Sequence, residues 1–108
     1  MRSGVVKDGS VWRFVGDVAQ RLNAREFQIV DHWDGDLLAI GIADTADEDR
    51  LVYVSTFRQP PDRYWYECEE PQGEDEYAVP ERMDAASLDQ VVDAIRRHLR
   101  LGGLPGPG

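Results

Sequence analysis

The sequence predicts a single α+β domain: an N-terminal helix, four to five mostly antiparallel strands in a meander sheet, and a C-terminal helix, with both helices packed on one face. Apolar residues recur at helical spacing near both ends, and β-branched and aromatic runs divided by turn residues lie between them. A chain of 108 residues suits one hydrophobic core. We therefore place the domain at residues 1–103 and a flexible Gly/Pro tail at 104–108.

The first helix is predicted over residues 11–22. Its apolar side chains share one face of a helical wheel: Val11, Phe14, Val15, Val18 and Leu22. Ser10 precedes them as a plausible N-cap, because a serine hydroxyl can accept a hydrogen bond from a free amide of the first turn. The pattern is typical of an amphipathic helix that covers a sheet.

A hairpin is predicted next, with strands over residues 26–33 and 37–43. The dipeptide Asp34-Gly35 between them is typical of a two-residue turn with positive φ angles. In the second strand Leu38, Ile40 and Ile42 alternate with other residues, so we expect them on the core face.

Three more strands are predicted from composition. Residues 51–57 and 63–69 are rich in β-branched and aromatic side chains, and Pro60-Pro61 separates them. A short fifth strand is predicted over residues 77–79, after Pro71 and Gly73.

The C-terminal helix is predicted over residues 84–101. Its apolar face comprises Leu88, Val91, Val92, Ile95 and Leu99. Ser87 and Gln90 have the spacing of a capping box, and bases crowd the last turn, where positive charge complements the helix dipole.

Composition restricts the possible partners. There are 21 acidic residues against 12 Lys and Arg, a formal net charge of -9, so nucleic acid and anionic membrane would be repelled and a cationic partner is favoured. Cys68 is the single cysteine, which excludes an internal disulfide and fits a reducing compartment. The longest apolar run, residues 37–43, is too short to span a bilayer, and we expect a cytoplasmic location.

The acidic residues are segregated along the chain. Residues 31–49 hold seven and residues 67–76 hold six, with no Lys or Arg in either stretch. In a meander the loops after the second and fourth strands lie at the same end of the sheet, which predicts one negative rim for binding a basic protein surface. The candidate rim residues are Asp44, Asp47, Glu48, Asp49, Glu70, Glu74, Asp75 and Glu76. The alternative is that these acids only keep the domain soluble.

The run Tyr64-Trp65-Tyr66 makes an aromatic surface residue another candidate. Because neighbouring side chains of a strand alternate between faces, one ring must point away from the other two. We count Trp65 among the candidate partner-binding residues. The open alternative is that this ring packs under a flanking loop.

Sites for metals or catalysis are weakly supported. The spacing of Asp31, Asp34 and Asp36 lacks the order of a calcium loop. Cys68, His32 and His98 come from different predicted elements, and no catalytic signature surrounds the cysteine. We expect no enzyme activity, cofactor or metal.

The order of patterns resembles a known family. The chain carries Phe27-Gln28-Ile29-Val30-Asp31 through Leu38-Ala39-Ile40, then Leu51-Val52-Tyr53-Val54, Tyr64-Trp65-Tyr66-Glu67 and a helix ending His98-Leu99-Arg100-Leu101-Gly102-Gly103-Leu104-Pro105. This order resembles immunity proteins of bacterial polymorphic toxin systems, in particular the group associated with deaminase toxins. The resemblance implies a cytoplasmic inhibitor of a toxin that acts on nucleic acid or nucleotides. Two other hypotheses stay open: a secretion chaperone or adaptor, and a small enzyme that uses Cys68 or clustered carboxylates.

Overall fold

The computed structural model of the chain describes residues 7–31 and 35–101. Along them, a helix is followed by five strands and a second helix. The elements are α1 (Gly9–Arg21), β1 (Phe27–Val30), β2 (Ala39–Asp44), β3 (Asp47–Ser55), β4 (Arg63–Gly73), β5 (Glu76–Ser87) and α2 (Leu88–His98). Each strand pairs antiparallel with the next, so the sheet order is β1-β2-β3-β4-β5. The predicted α+β meander is confirmed.

One face of the sheet carries the main core and both helices. Ile40, Val54 and Tyr66 are neighbours across three strands and are almost fully buried with the apolar faces of α1 and α2. The rings of Phe14 in α1 and Tyr64 in β4 lie 4.9 Å apart between centroids. Burying each such side chain stabilises the fold by about 1.5–3 kcal/mol, so this layer supplies most of the driving force.

The opposite face has no helix among the described residues. Val30, Ala43 and Leu51 form a small separate cluster there, with Tyr53 packed against it. Alternation along β3 places Leu51 and Tyr53 on this face and Val52 and Val54 on the other. We call it the open face.

The first hairpin differs from the prediction. Its pairing is antiparallel, but Val30 lies opposite Gly41, so the connection is longer than a two-residue turn. Gly35 does not adopt a positive φ, and Asp34 lies outside the described residues. A different hydrogen bond fixes the segment just before β2: the Asp8 amide donates to the Leu37 carbonyl. The predicted two-residue turn is therefore wrong.

The fifth strand is much longer than predicted, and it includes residues 84–87, which were assigned to the helix. Its register against β4 shifts at three points, between Tyr64 and Tyr66, between Cys68 and Glu70, and between Pro71 and Gly73. Ala85 lies at the first shift with a φ of 52°, and its amide donates to Gln59 Oε1. These bulges let a strand continue through residues that interrupt regular pairing.

Both helices begin at clear caps. In α1 the cap is Asp8 and not Ser10, since the Asp8 carboxylate accepts from the Ser10 amide. In α2 the predicted capping box is present: Ser87 Oγ accepts from the Gln90 amide, and Gln90 Oε1 accepts from the Ser87 amide. No helix within the described part of the chain is long and apolar enough to cross a membrane. The tail at 104–108 lies outside the described residues.

Candidate functional site

The two acidic segments meet at one end of the sheet. The β2–β3 turn at residues 45–46 and the β4–β5 turn at 74–75 lie on the same side, because β3 and β4 are neighbours and antiparallel. However, most of the predicted loop acids lie within strands. Asp47, Glu48 and Asp49 belong to β3, Glu70 to β4 and Glu76 to β5. Strand membership therefore fixes the side of the sheet to which each acid points.

Two of the predicted rim residues shape the β2–β3 turn. Asp44 Oδ1 accepts from the Ala46 amide at 3.3 Å, and Asp47 Oδ1 accepts from the Asp49 amide at 3.0 Å. The Gln28 side chain adds a bond to the Asp44 carbonyl at 2.8 Å. Both carboxylates are partly buried, so Asp44 and Asp47 support the turn and present less charge outward.

A groove of about 380 Å³ lies between the turns. We call it the acidic groove; its walls are formed by Asp49, Leu51, Glu69, Pro71, Gly73, Asp75, Glu76 and Tyr77. On β3 and β4 the lining residues are every second one, as one face of a sheet requires. Leu51 lies opposite Glu69 in the ladder and belongs to the open face, so the groove is on that face.

The predicted rim is thus divided. Asp49, Asp75 and Glu76 line the acidic groove and are exposed. Glu48 and Glu70 are out of phase with the lining residues and point toward the opposite face of their strands. The remaining residue, Glu74, is exposed in the β4–β5 turn.

The sequence prediction missed five of the eight residues that line the groove: Leu51, Glu69, Pro71, Gly73 and Tyr77. Glu69 and Leu51 form its floor, and Tyr77, with 61% of its surface exposed, forms one wall. Alternation along β3 and β4 would have identified the first two, had both strands been extended to the acids. Tyr77 follows from its pairing with Pro71, which depends on the β4–β5 register.

The groove concentrates negative charge. The salt bridges seen among residues 7–31 and 35–101 join Lys7 to Asp31, Arg21 to Asp89, and Arg97 to Glu81 and Asp93. None of them involves Asp49, Asp75 or Glu76. Neighbouring like charges repel, so a positive group placed in the groove would relieve that repulsion as well as gain its own attraction.

Trp65 lies away from the acidic groove. Trp65 lies on β4 and pairs with Ser55 of β3. It precedes Glu69 by four residues, a distance of roughly 13 Å along the strand. The expected division of the three aromatics is observed: Tyr64 and Tyr66 are buried in the main core, whereas Trp65 is on the open face and partly exposed. The indole Nε1–H of Trp65 donates to Glu67 Oε2 at 3.0 Å.

A second concavity surrounds Trp65. It has a volume of about 310 Å³, and Tyr53, Ser55, Phe57, Gln59 and Trp65 line it. We call it the aromatic pocket. Its three rings come from β3, from the β3–β4 loop and from β4, so folding and not sequence proximity brings them together.

Cys68 is placed where a thiol is unreactive. It is 1% exposed in the main core, and burial first, then the nearby Glu81 carboxylate, raises its pKa to about 12. At pH 7 only about one thiol in 100,000 would then be ionised. The ring Nε2 of His98 lies 2.7 Å from the Glu69 carbonyl oxygen, and His32 lies outside the described residues. This arrangement gives a thiol-based reaction no support.

A polar network fastens α2 to the sheet above this cysteine. Arg97 Nη1 donates to Glu81 Oε1 at 2.9 Å, its Nε donates to Asp93 at 2.8 Å, and the Tyr66 hydroxyl donates to Glu81. The bonds from Arg97 and Tyr66 lower the pKa of Glu81, while burial and Glu81 raise that of Tyr66 to about 12. The network keeps the helix layer fixed behind the open face.

Metal binding has no cluster to support it. Within residues 7–31 and 35–101, no group of three or more His, Cys, Asp and Glu side chains is arranged to hold a metal ion. Comparison with protein-family models, with curated proteins and with solved structures finds no match. The geometry of the open face is therefore the basis for a functional proposal.

Proposed function

We propose that the chain is a cytoplasmic immunity protein that binds and inhibits a cognate bacterial toxin domain, one that acts on nucleic acid or nucleotides. The observation that carries the proposal is the acidic groove, in which Asp49, Glu69, Asp75 and Glu76 from three strands and a turn share one concave surface. A toxin that binds polyanionic substrates has a basic cleft. The groove offers complementary charge to such a cleft.

The groove would act first on the rate of encounter. A surface with one sign of charge steers an oppositely charged partner and raises the association rate constant, an effect that salt screens. Each exposed ion pair would add only about 0.2–1 kcal/mol to the final complex. The proposal therefore predicts that groove acids affect association more than dissociation.

A single charge reversal tests this. Asp49→Lys places a base in the acidic groove, while Asp89→Lys makes the same charge change at the exposed start of α2. With the toxin domain encoded beside this gene, we expect Asp49→Lys to slow association about fivefold to tenfold at low salt. Asp89→Lys should slow it less than twofold.

Surface plasmon resonance at two salt concentrations gives both rate constants, and a toxicity assay in cells gives protection. The proposal is wrong if the wild-type chain neither binds nor protects against the toxin. If it binds and both variants associate equally slowly, net charge and not the groove controls the encounter.

The secretion chaperone or adaptor is favoured by a different feature. An apolar groove of about 400 Å³ runs between α1 and the edge strand β1, lined by Trp12, Val15, Gly16, Ala19, Ala24, Phe27 and Ile29. An extended export segment could add to that edge. Ala19→Glu would then abolish binding of an exported protein without affecting toxin binding. A strictly monomeric state in analytical ultracentrifugation would count against the chaperone function.

A further inference from the structure

The aromatic pocket has a composition that differs from the acidic groove. Tyr53, Phe57 and Trp65 contribute three rings, and Phe57 keeps 56% of its surface exposed although it is a large apolar residue. Ser55 and Gln59 complete the lining with polar atoms. A concave surface with several aromatic rings is a common place for an interface to concentrate its binding energy.

Two of these aromatic side chains donate hydrogen bonds to carboxylates. Glu67 pairs with Tyr53 across the strands and accepts the indole hydrogen bond of Trp65. The Tyr53 hydroxyl donates to Asp36 Oδ2 at 3.5 Å. Burial first, then the charge of Asp36 and, to a smaller extent, that of Glu67 raise the pKa of Tyr53, against a hydrogen bond with Ser55 that lowers it. Such a pocket favours a cation over a neutral group.

One guanidinium of the chain itself, that of Arg58, already contacts a ring of this pocket. The Arg58 guanidinium carbon lies 5.1 Å from the centroid of the Phe57 ring, within the range of a cation–π contact. Arg58 has a φ of 55°, so the loop turns back at this residue. Arg58 is exposed, and its charge would repel an incoming cation.

We propose that the aromatic pocket receives one arginine side chain of the protein partner, which stacks on the rings of Phe57 and Trp65 and pairs with Glu67. Arginine fits better than lysine, because its planar guanidinium stacks on rings and presents several donors to a carboxylate. This inference rests on the proposed function in one respect, namely that the partner is basic.

The pocket and the acidic groove fit within one interface. Asp49 lines the groove and Ser55 lines the pocket, and the six residue steps from one to the other along β3 span roughly 20 Å. A standard interface covers about 800 Å² on each partner, a patch on the order of 30 Å across. The open face would thus combine a steering region and an anchoring pocket.

A small probe tests the pocket without any toxin. In ¹H–¹⁵N spectra the indole signal of Trp65, assigned with Trp65→Phe, is followed while N-acetyl-arginine-N-methylamide is added. We expect a saturable shift with arginine, a clearly weaker one with the lysine analogue, and none with the neutral citrulline analogue. Equal shifts with citrulline, or no shift with arginine, would overturn the proposal.

Variants identify the residues. Phe57→Ala and Glu67→Gln should each weaken arginine binding about fivefold, and Arg58→Gln should strengthen it, because a competing cation is removed. Asp89→Asn is the matched control for Glu67→Gln, since it removes an exposed carboxylate from α2, away from both sites, and should leave the titration unchanged. An equal loss in Asp89→Asn would overturn the assignment of the site.

The same variants separate this proposal from the proposed function. If the toxin binds Phe57→Ala as tightly as the wild type, the pocket proposal falls and the immunity function stands. If the arginine titration succeeds and no toxin is bound, the immunity function falls and the pocket stands.

Discussion

Replacing Lys7 with methionine tests how much the buried ion pair between Lys7 and Asp31 stabilises the domain. Lys7 Nζ lies 2.8 Å from Asp31 Oδ1 and donates to the Asp36 carbonyl at 2.6 Å. The two side chains of the pair are 0% and 9% exposed. Methionine keeps much of the length and packing of lysine but removes the ammonium. The Asp31 carboxylate would then stay buried without this compensating charge.

The expected cost is large. Removing one partner of a buried pair typically costs about 3–5 kcal/mol, against a total stability of about 5–15 kcal/mol for a domain. We expect a cost at the lower end of this range, about 3 kcal/mol. For a domain near 100 residues this corresponds to a fall in Tm of about 12–24 °C.

Urea unfolding followed by circular dichroism measures this cost, and the chain offers a matched control. Arg21 pairs with Asp89, but their side chains are 45% and 81% exposed, so Arg21→Met should cost only about 0.2–1 kcal/mol. The double variant Lys7→Met/Asp31→Leu should regain most of the lost stability, since it removes both charges. The reasoning is refuted if Lys7→Met costs no more than Arg21→Met.

Three further predictions concern the strand β5, the cysteine and the helix clamp. Ala85 has a φ of 52°, so Ala85→Gly should stabilise the domain by about 0.5–1 kcal/mol in urea unfolding, whereas Ala78→Gly, also in β5, should destabilise it by a similar amount. A loss of stability in Ala85→Gly would contradict this. Because Cys68 is buried and its pKa is raised to about 12, its alkylation by iodoacetamide at pH 8 should be at least about a thousandfold slower in the folded chain than in urea. Rapid labelling of the folded chain would show that the thiol is accessible. The folded-state pKa of Glu81 is lowered below its ordinary value of 4.5, so its stabilising effect is present above that pH and is lost as the pH falls through the folded pKa. Glu81→Gln should therefore cost about 1–2 kcal/mol at pH 7, and the cost should shrink as the pH falls below 4.5; a cost independent of pH would exclude the charge as its source.

The parts of the fold that local physics determines were predictable. The Ser87/Gln90 capping box marks the start of α2 because it satisfies amides that the helix itself cannot pair. In contrast, the fifth strand is predicted over residues 77–79 only, and residues 84–87 are assigned to the C-terminal helix. The strand extends further in both directions because it pairs with β4 across three register shifts, and that pairing is a tertiary contact that no short window contains.

The location of the candidate site was also predictable, but the set of residues that share its face was not. Meander topology alone places the two acidic turns at one end of the sheet, as the structure shows. Which acids share a face depends on strand phase, and acids have low strand propensity, so the predicted β3 begins too late and the predicted β4 ends too early. That error kept Glu70 in the predicted rim and left out Glu69, its neighbour on the other face.

The two faces of the sheet separate stability from recognition. The helix-bearing face holds the main core and the Tyr66–Glu81–Arg97 network, so substitutions there act on folding. On the open face, Asp49 and Phe57 are exposed, and replacing them removes little buried surface. On the two proposals made above, charge in the acidic groove would act before contact and so control association, whereas an arginine held in the aromatic pocket would have to leave before the complex separates and so would control dissociation. Because the two sites lie roughly 20 Å apart along β3, the effects of Asp49→Lys and Phe57→Ala on toxin binding should add, each in its own rate constant.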